Sequence, residues 1–248
     1  MTDFGGQALL GVGGVFAGFL LDWLAVGLGW QRIRPYTKAA ALVLLVLWAL
    51  GMMGFAPGFP GWLLILALIF GLAGDILLLF PERCFKWGLG AFLLGHLTYL
   101  SLFGLLIRSG NLSGLVPRTS AWAWGCLSLA LLLGILAFHW AIIRKMRPPG
   151  PSKWMQAALY LYASCLTAVM VASYLTAISF WGKGVSLWAL PLGGTLFFIS
   201  DFILAYNRFV RPLHSAHLWI MISYHLAQFF LALGFINLLS LIAMPPGV

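Results

Sequence analysis

Gly61-Trp62-Leu63-Leu64-Ile65-Leu66-Ala67-Leu68-Ile69-Phe70-Gly71-Leu72-Ala73-Gly74-Asp75-Ile76-Leu77-Leu78-Leu79-Phe80 runs for twenty residues with a single ionisable side chain, Asp75. About twenty mostly apolar residues are what an α-helix needs to cross the hydrocarbon core of a bilayer. The stretch therefore reads as a membrane span, and its one carboxylate is the exception to be explained. A carboxylate at mid-bilayer costs roughly 2.5–3.5 kcal/mol on insertion scales. Such a group faces a polar cavity and marks a functional site by default.

The same reading extends along the chain, which is 62% hydrophobic and 8% charged. Soluble domains carry about 25% charged residues. Eight spans are expected, at 6–29, 39–56, 61–80, 87–107, 121–143, 154–180, 185–206 and 216–242, with Pro-Gly, Gly-Asn and Pro-Pro punctuation between them. The expected fold is all-α, a single polytopic membrane domain over residues 1–248 with nothing left for a soluble domain.

Charge orients the spans. Lys and Arg outnumber Asp and Glu 14 to 5, but they lie in short clusters between apolar runs and make no nucleic-acid patch. Arg32, Arg34, Lys38, Arg83, Lys86, Arg144, Lys145, Arg147, Lys153, Arg208 and Arg211 fall on one side; Arg108, Arg118 and Lys183 fall on the other. The positive-inside rule makes the first group cytoplasmic and puts both termini outside. The first span lacks a basic leading region and is too long for a cleavable signal peptide, so it reads as an ordinary first helix. Cys84, Cys126 and Cys165 share no ligand spacing and read as apolar filler. Asn111-Leu112-Ser113 fits a glycosylation sequon, a match too short to carry weight.

Asp75 has a counterpart. Gly74-Asp75-Ile76-Leu77-Leu78-Leu79-Phe80 and Ser200-Asp201-Phe202-Ile203-Leu204-Ala205-Tyr206 each set a small residue before Asp, Leu three positions on and an aromatic five positions on. A basic residue, Arg83 or Arg208, follows each, and the next span brings Gly95-His96-Leu97-Thr98-Tyr99 or Tyr224-His225-Leu226-Ala227-Gln228. Placed about five residues from a span's cytoplasmic end, or about nine into the returning span, all four groups would lie about 7–14 Å below the boundary. This arrangement suggests two parallel four-helix repeats, spans 1–4 and 5–8, and one polar chamber in the inner leaflet. Asp22, a third acid within a span, has no counterpart and is expected to snorkel or pair locally near Arg32.

These motifs, in this order on eight helices, resemble the lysoplasmalogenase family of YhhN-like integral membrane proteins. The resemblance runs from about Lys38 to Gln228. Its carriers are Thr37-Lys38, the Gly74–Leu78 and Gly95–Tyr99 segments, Gly194-Thr195-Leu196-Phe197-Phe198-Ile199-Ser200-Asp201-Phe202-Ile203-Leu204-Ala205-Tyr206-Asn207-Arg208-Phe209, and the Tyr224–Gln228 segment. Ala39 and Ala40 depart from the Pro that usually follows the Lys, which leaves the start of that helix open. The resemblance implies hydrolysis of the vinyl ether bond of an alkenyl-lysophospholipid to a fatty aldehyde and glycerophospho-ethanolamine or -choline. A bacterial inner membrane suits the short loops, and an endoplasmic-reticulum membrane stays open.

The reaction can be argued from its chemistry. Protonation at the β-carbon of a vinyl ether gives an oxocarbenium ion, water captures it, and the hemiacetal collapses. The slow step needs a positioned acid and a nearby negative charge, work that two carboxylates divide in glycosidases and aspartic proteases. Asp75 and Asp201 are the expected catalytic pair, with no cofactor and no metal. Lys38, level with a lipid phosphate, and Arg208 are candidate cations for it; His96 and His225 are candidate hydrogen-bonders; Ser200, Tyr99, Tyr224, Asn207 and Gln228 would support a carboxyl, a water or the glycerol hydroxyl. A proton-coupled transporter fits the same acids, and a zinc hydrolase built on two Asp and two His stays open. Head-group preference, oligomeric state and the division of labour between the aspartates are not legible.

Overall fold

The computed structural model describes residues 4–108, 121–146, 152–179 and 187–243. The chain forms α1 (Phe4–Gly27), α2 (Arg34–Met52), α3 (Gly58–Leu77), α4 (Pro81–Arg108), α5 (Ala121–Ala141), α6 (Lys153–Ser179), α7 (Ala189–Phe209) and α8 (Ala216–Ala243), with a 3-10 turn at Ile143–Lys145. Among the described residues there is no strand, and eight helices are long and apolar enough to cross a membrane. The Asn111 sequon, Arg118 and Lys183 lie outside the described residues, as do positions 180, 185 and 186 at the ends of two expected spans.

Two helices begin five and six residues earlier than expected. α2 starts at Arg34 rather than at residue 39, with Pro35 in its first turn. Proline suits that place because its missing N–H would have no intrahelical partner there. α4 likewise starts on Pro81, six residues before the expected 87. The correction matters for Lys38: it sits a full turn inside α2 rather than at the span's edge.

The burial pattern is that of a protein dissolved in lipid. Leu20, Leu47, Ile69, Leu132, Leu161 and Ile199 are exposed on helix faces, whereas Asp22, Lys38, Asp75, His96, Asp201, His225 and Gln228 are buried. In hydrocarbon an apolar outer face is favourable, and the polar groups turn inward to find partners.

The helices gather into two compact units, residues 1–98 and residues 99–248, so the division falls within α4 rather than between the fourth and fifth spans. In the first unit α2 packs against both α1 and α3; in the second, α7 packs against both α6 and α8. Two adjacent glycines allow the second arrangement. A Cβ on Gly193 would stand 2.7 Å from the backbone nitrogen of Leu231 in α8, and one on Gly194 would stand 3.1 Å from the Cα of Met170 in α6. Small residues of this kind let membrane helices approach backbone to backbone.

Candidate functional site

In the first unit, Asp75 lies in the last turn of α3, two residues before Leu77, and is 1% exposed. Lys38 reaches it from α2. The ammonium is 3.0 Å from Asp75 Oδ1 and donates to the Asp75 backbone carbonyl at 3.2 Å. Lys38 is itself only 3% exposed. A lysine expected at the lipid phosphate is thus a buried counter-ion. Its early place in α2, set by Pro35, brings it to the acid.

Asp22 belongs to the same neighbourhood. It is fully buried on α1, so it does not snorkel, and its Oδ1 accepts a hydrogen bond from the Thr37 hydroxyl at 2.8 Å. Lys38 and Arg34 act on its carboxylate electrostatically. Elsewhere in the unit, buried His96 donates from Nδ1 to the Phe92 carbonyl at 2.7 Å. A carbonyl only accepts, so this contact places a proton on Nδ1 and, in the neutral ring, makes Nε2 an acceptor.

In the second unit, Asp201 is buried on α7, eight residues before Phe209. Its Oδ2 accepts a hydrogen bond from the Tyr162 hydroxyl of α6. Beside it on α7, Ser200 donates to the Ile220 carbonyl at 3.2 Å. Tyr99 donates to Gln228 Oε1 at 2.7 Å, and Gln228 Nε2 donates to the Tyr224 hydroxyl at 3.3 Å. Stacking of Tyr99 on Phe235 and the edge contact of Tyr224 with Phe197 hold this chain of polar groups in the core. His225 is fully buried on α8. Asn207 has a local duty, accepting the Leu213 N–H at 2.9 Å in the turn before α8, and Arg208 is exposed.

The two motifs stand at different distances from their own helix ends. Asp75 is about 3 Å from its helix end and Asp201 about 12 Å, counting 1.5 Å per residue. His96 stands fifteen residues into α4, His225 nine into α8. Among the described residues, no three of His, Cys, Asp and Glu gather closely enough to hold a metal ion. Two contacts had no signature in the sequence motifs. Tyr162 is 39 residues from Asp201 and arrives through helix packing alone, and Asp22 lies on a helix without a motif.

A sequence profile of the YhhN family matches residues 33–235. The chain belongs to the YhhN family. Mouse lysoplasmalogenase TMEM86B is 31% identical to this YhhN protein over 218 residues, 87% of this chain and 80% of the mouse one. A lysoplasmalogenase of Mycobacterium tuberculosis is 27% identical over 240 residues, 93% of this chain and 84% of its own. Human lysoplasmalogenase TMEM86B is 30% identical over 169 residues, covering 68% and 61%. No solved structure matches. The matched region takes in Lys38, Asp75, His96, Tyr162, Asp201, His225 and Gln228 and leaves out Asp22. With its eight apolar helices, this YhhN protein is an integral membrane protein.

Proposed function

We propose that this YhhN protein is a lysoplasmalogenase-like hydrolase that cleaves the vinyl ether bond of alkenyl-lysophospholipids, with Asp75 and Asp201 as its catalytic groups. The observation that carries the reading is a pair of buried aspartates, each held by a partner of its own, in a chain whose relatives are named lysoplasmalogenases. A buried carboxylate is retained at a cost, and function is the usual reason.

The contacts suggest how the two divide the work. Asp75, paired with an ammonium, is the ionised member. It supplies the negative charge that stabilises the oxocarbenium ion and accepts a proton from the attacking water. Asp201, which meets the neutral Tyr162 hydroxyl, is the member that carries the proton that goes to the β-carbon. Breaking the C–O bond of the resulting hemiacetal then releases a fatty aldehyde and the glycerophospho-alcohol. The substrate enters from the bilayer with one alkenyl chain, and the loop charges favour the cytoplasmic leaflet, in a bacterial inner membrane.

The test is aldehyde release from an alkenyl-lysophospholipid by purified protein in detergent, with Asp75→Asn and Asp201→Asn in parallel and a chelator control. Aldehyde from wild type, lost in both variants and indifferent to chelator, is expected. A folded wild type that releases none sinks the hydrolase and brings proton-coupled transport forward.

A further inference from the structure

The mechanism above leaves one buried acid unused. Asp22 is fully buried, Oδ1 accepts from Thr37, and the equally buried Oδ2 accepts no hydrogen bond among the described residues. One neutral hydrogen bond does not compensate a carboxylate taken out of water. The compensation must come from a cation, and two act on it: Lys38, the residue next to Thr37, and Arg34, one turn earlier on α2. Arg34 is only half-buried, so its field is screened more than that of Lys38. Lys38 is as buried as the acids themselves and is already in contact with Asp75.

We propose that Asp22 is a positioning residue for the chemistry of Asp75: the two carboxylates share the ammonium of Lys38, so that Asp75 is not neutralised by it one-to-one. The proposal rests on the hydrolase reading for its catalytic consequence. A carboxylate neutralised one-to-one by a lysine has little field left for a developing oxocarbenium ion. Dividing the lysine between two acids restores that field at Asp75. Asp22 acts through Lys38, so it should change the chemical step and leave substrate binding alone.

Charge and hydrogen bonding are separable here. Asp22→Asn keeps the side-chain volume and an oxygen for Thr37 but removes the charge. Thr37→Val removes the hydrogen bond and keeps the charge. On the proposal, Asp22→Asn lowers kcat about 10- to 100-fold, the range seen when a group supporting a catalytic residue is removed. KM stays within about twofold and Tm does not fall, since one buried charge fewer must be accommodated. Thr37→Val keeps kcat within about threefold. Unchanged kcat in Asp22→Asn, or an equal loss in both variants, overturns the proposal.

Sharing has a readout that needs no substrate. In a thermal double-mutant cycle, Lys38→Met takes the ammonium from two carboxylates in the wild-type background and from one in the Asp22→Asn background. The Tm loss should therefore be smaller in the second by at least about 3 °C. Additive shifts mean that Lys38 serves Asp75 alone and the proposal fails. If wild type releases no aldehyde, the hydrolase reading falls, and the cycle still decides the sharing.

Discussion

Asp75 and Asp201 stand in near-matching sequences yet are held in opposite ways. In the first unit a charge meets a charge, Lys38 on Asp75. In the second a neutral phenol meets an acid, Tyr162 on Asp201. A local motif specifies that an acid will be buried; which partner arrives is decided by other helices. Two like motifs can therefore hold two unlike chemical states, as an acid–base mechanism requires.

The sharpest way to break this comparison is to remove the acids. Asp75→Asn and Asp201→Asn should each lower the rate of aldehyde release about 10²- to 10⁴-fold. The double variant should be little worse than the poorer single one, because groups serving one reaction are non-additive. Losses that multiply would mean the two acids do not act as a unit.

Next come the partners. Lys38→Met takes the ammonium away from buried carboxylates and should destabilise by about 3–5 kcal/mol. Tyr162→Phe removes one hydrogen bond to an acid, about 1.5–3 kcal/mol if that acid is charged and less if it is neutral. Thermal unfolding in detergent would show the ranking, and a larger shift for Tyr162→Phe would invert the assignment of charge made here. Gly193→Ala probes the frame of the second unit alone. Its new Cβ meets the α8 backbone, and about 1–3 kcal/mol of overpacking is expected, read as a fall in Tm. The smallest effect belongs to Tyr99→Phe. Loss of its hydrogen bond to Gln228 should cost about 0.6 kcal/mol, the average for such bonds between membrane helices; a shift above about 2 kcal/mol would mark a larger polar network.

The fold was legible because a span is a sum over some twenty residues, and such a sum tolerates errors at single positions. Helix ends were less so. Pro35 and Pro81 look like breaks in a hydropathy reading, yet each opens a helix, and the starts moved by five and six residues. At the candidate site the burial of Asp75 and Asp201 followed from their spans. Their partners did not, since Tyr162 sits in an Ala- and Leu-rich helix with nothing nearby to single it out. Asp22 was read in part for a related reason: of its two expectations, the escape to water near Arg32 is closed by packing of α1 on α2, and the pairing is made with Thr37.

The pairing of Lys38 has one more consequence, for survival of the protein during turnover. A fatty aldehyde condenses with neutral amines to imines, and a lysine beside its point of release would be the first to be lost. An ammonium locked to a carboxylate has no lone pair to attack with. Borohydride trapping during turnover, read by peptide mass, should leave Lys38 unmodified in wild type. In the double variant Asp22→Asn, Asp75→Asn incubated with added aldehyde it should become alkylated. The ion pair that holds the acid in place would then also be what keeps the product from poisoning its own source.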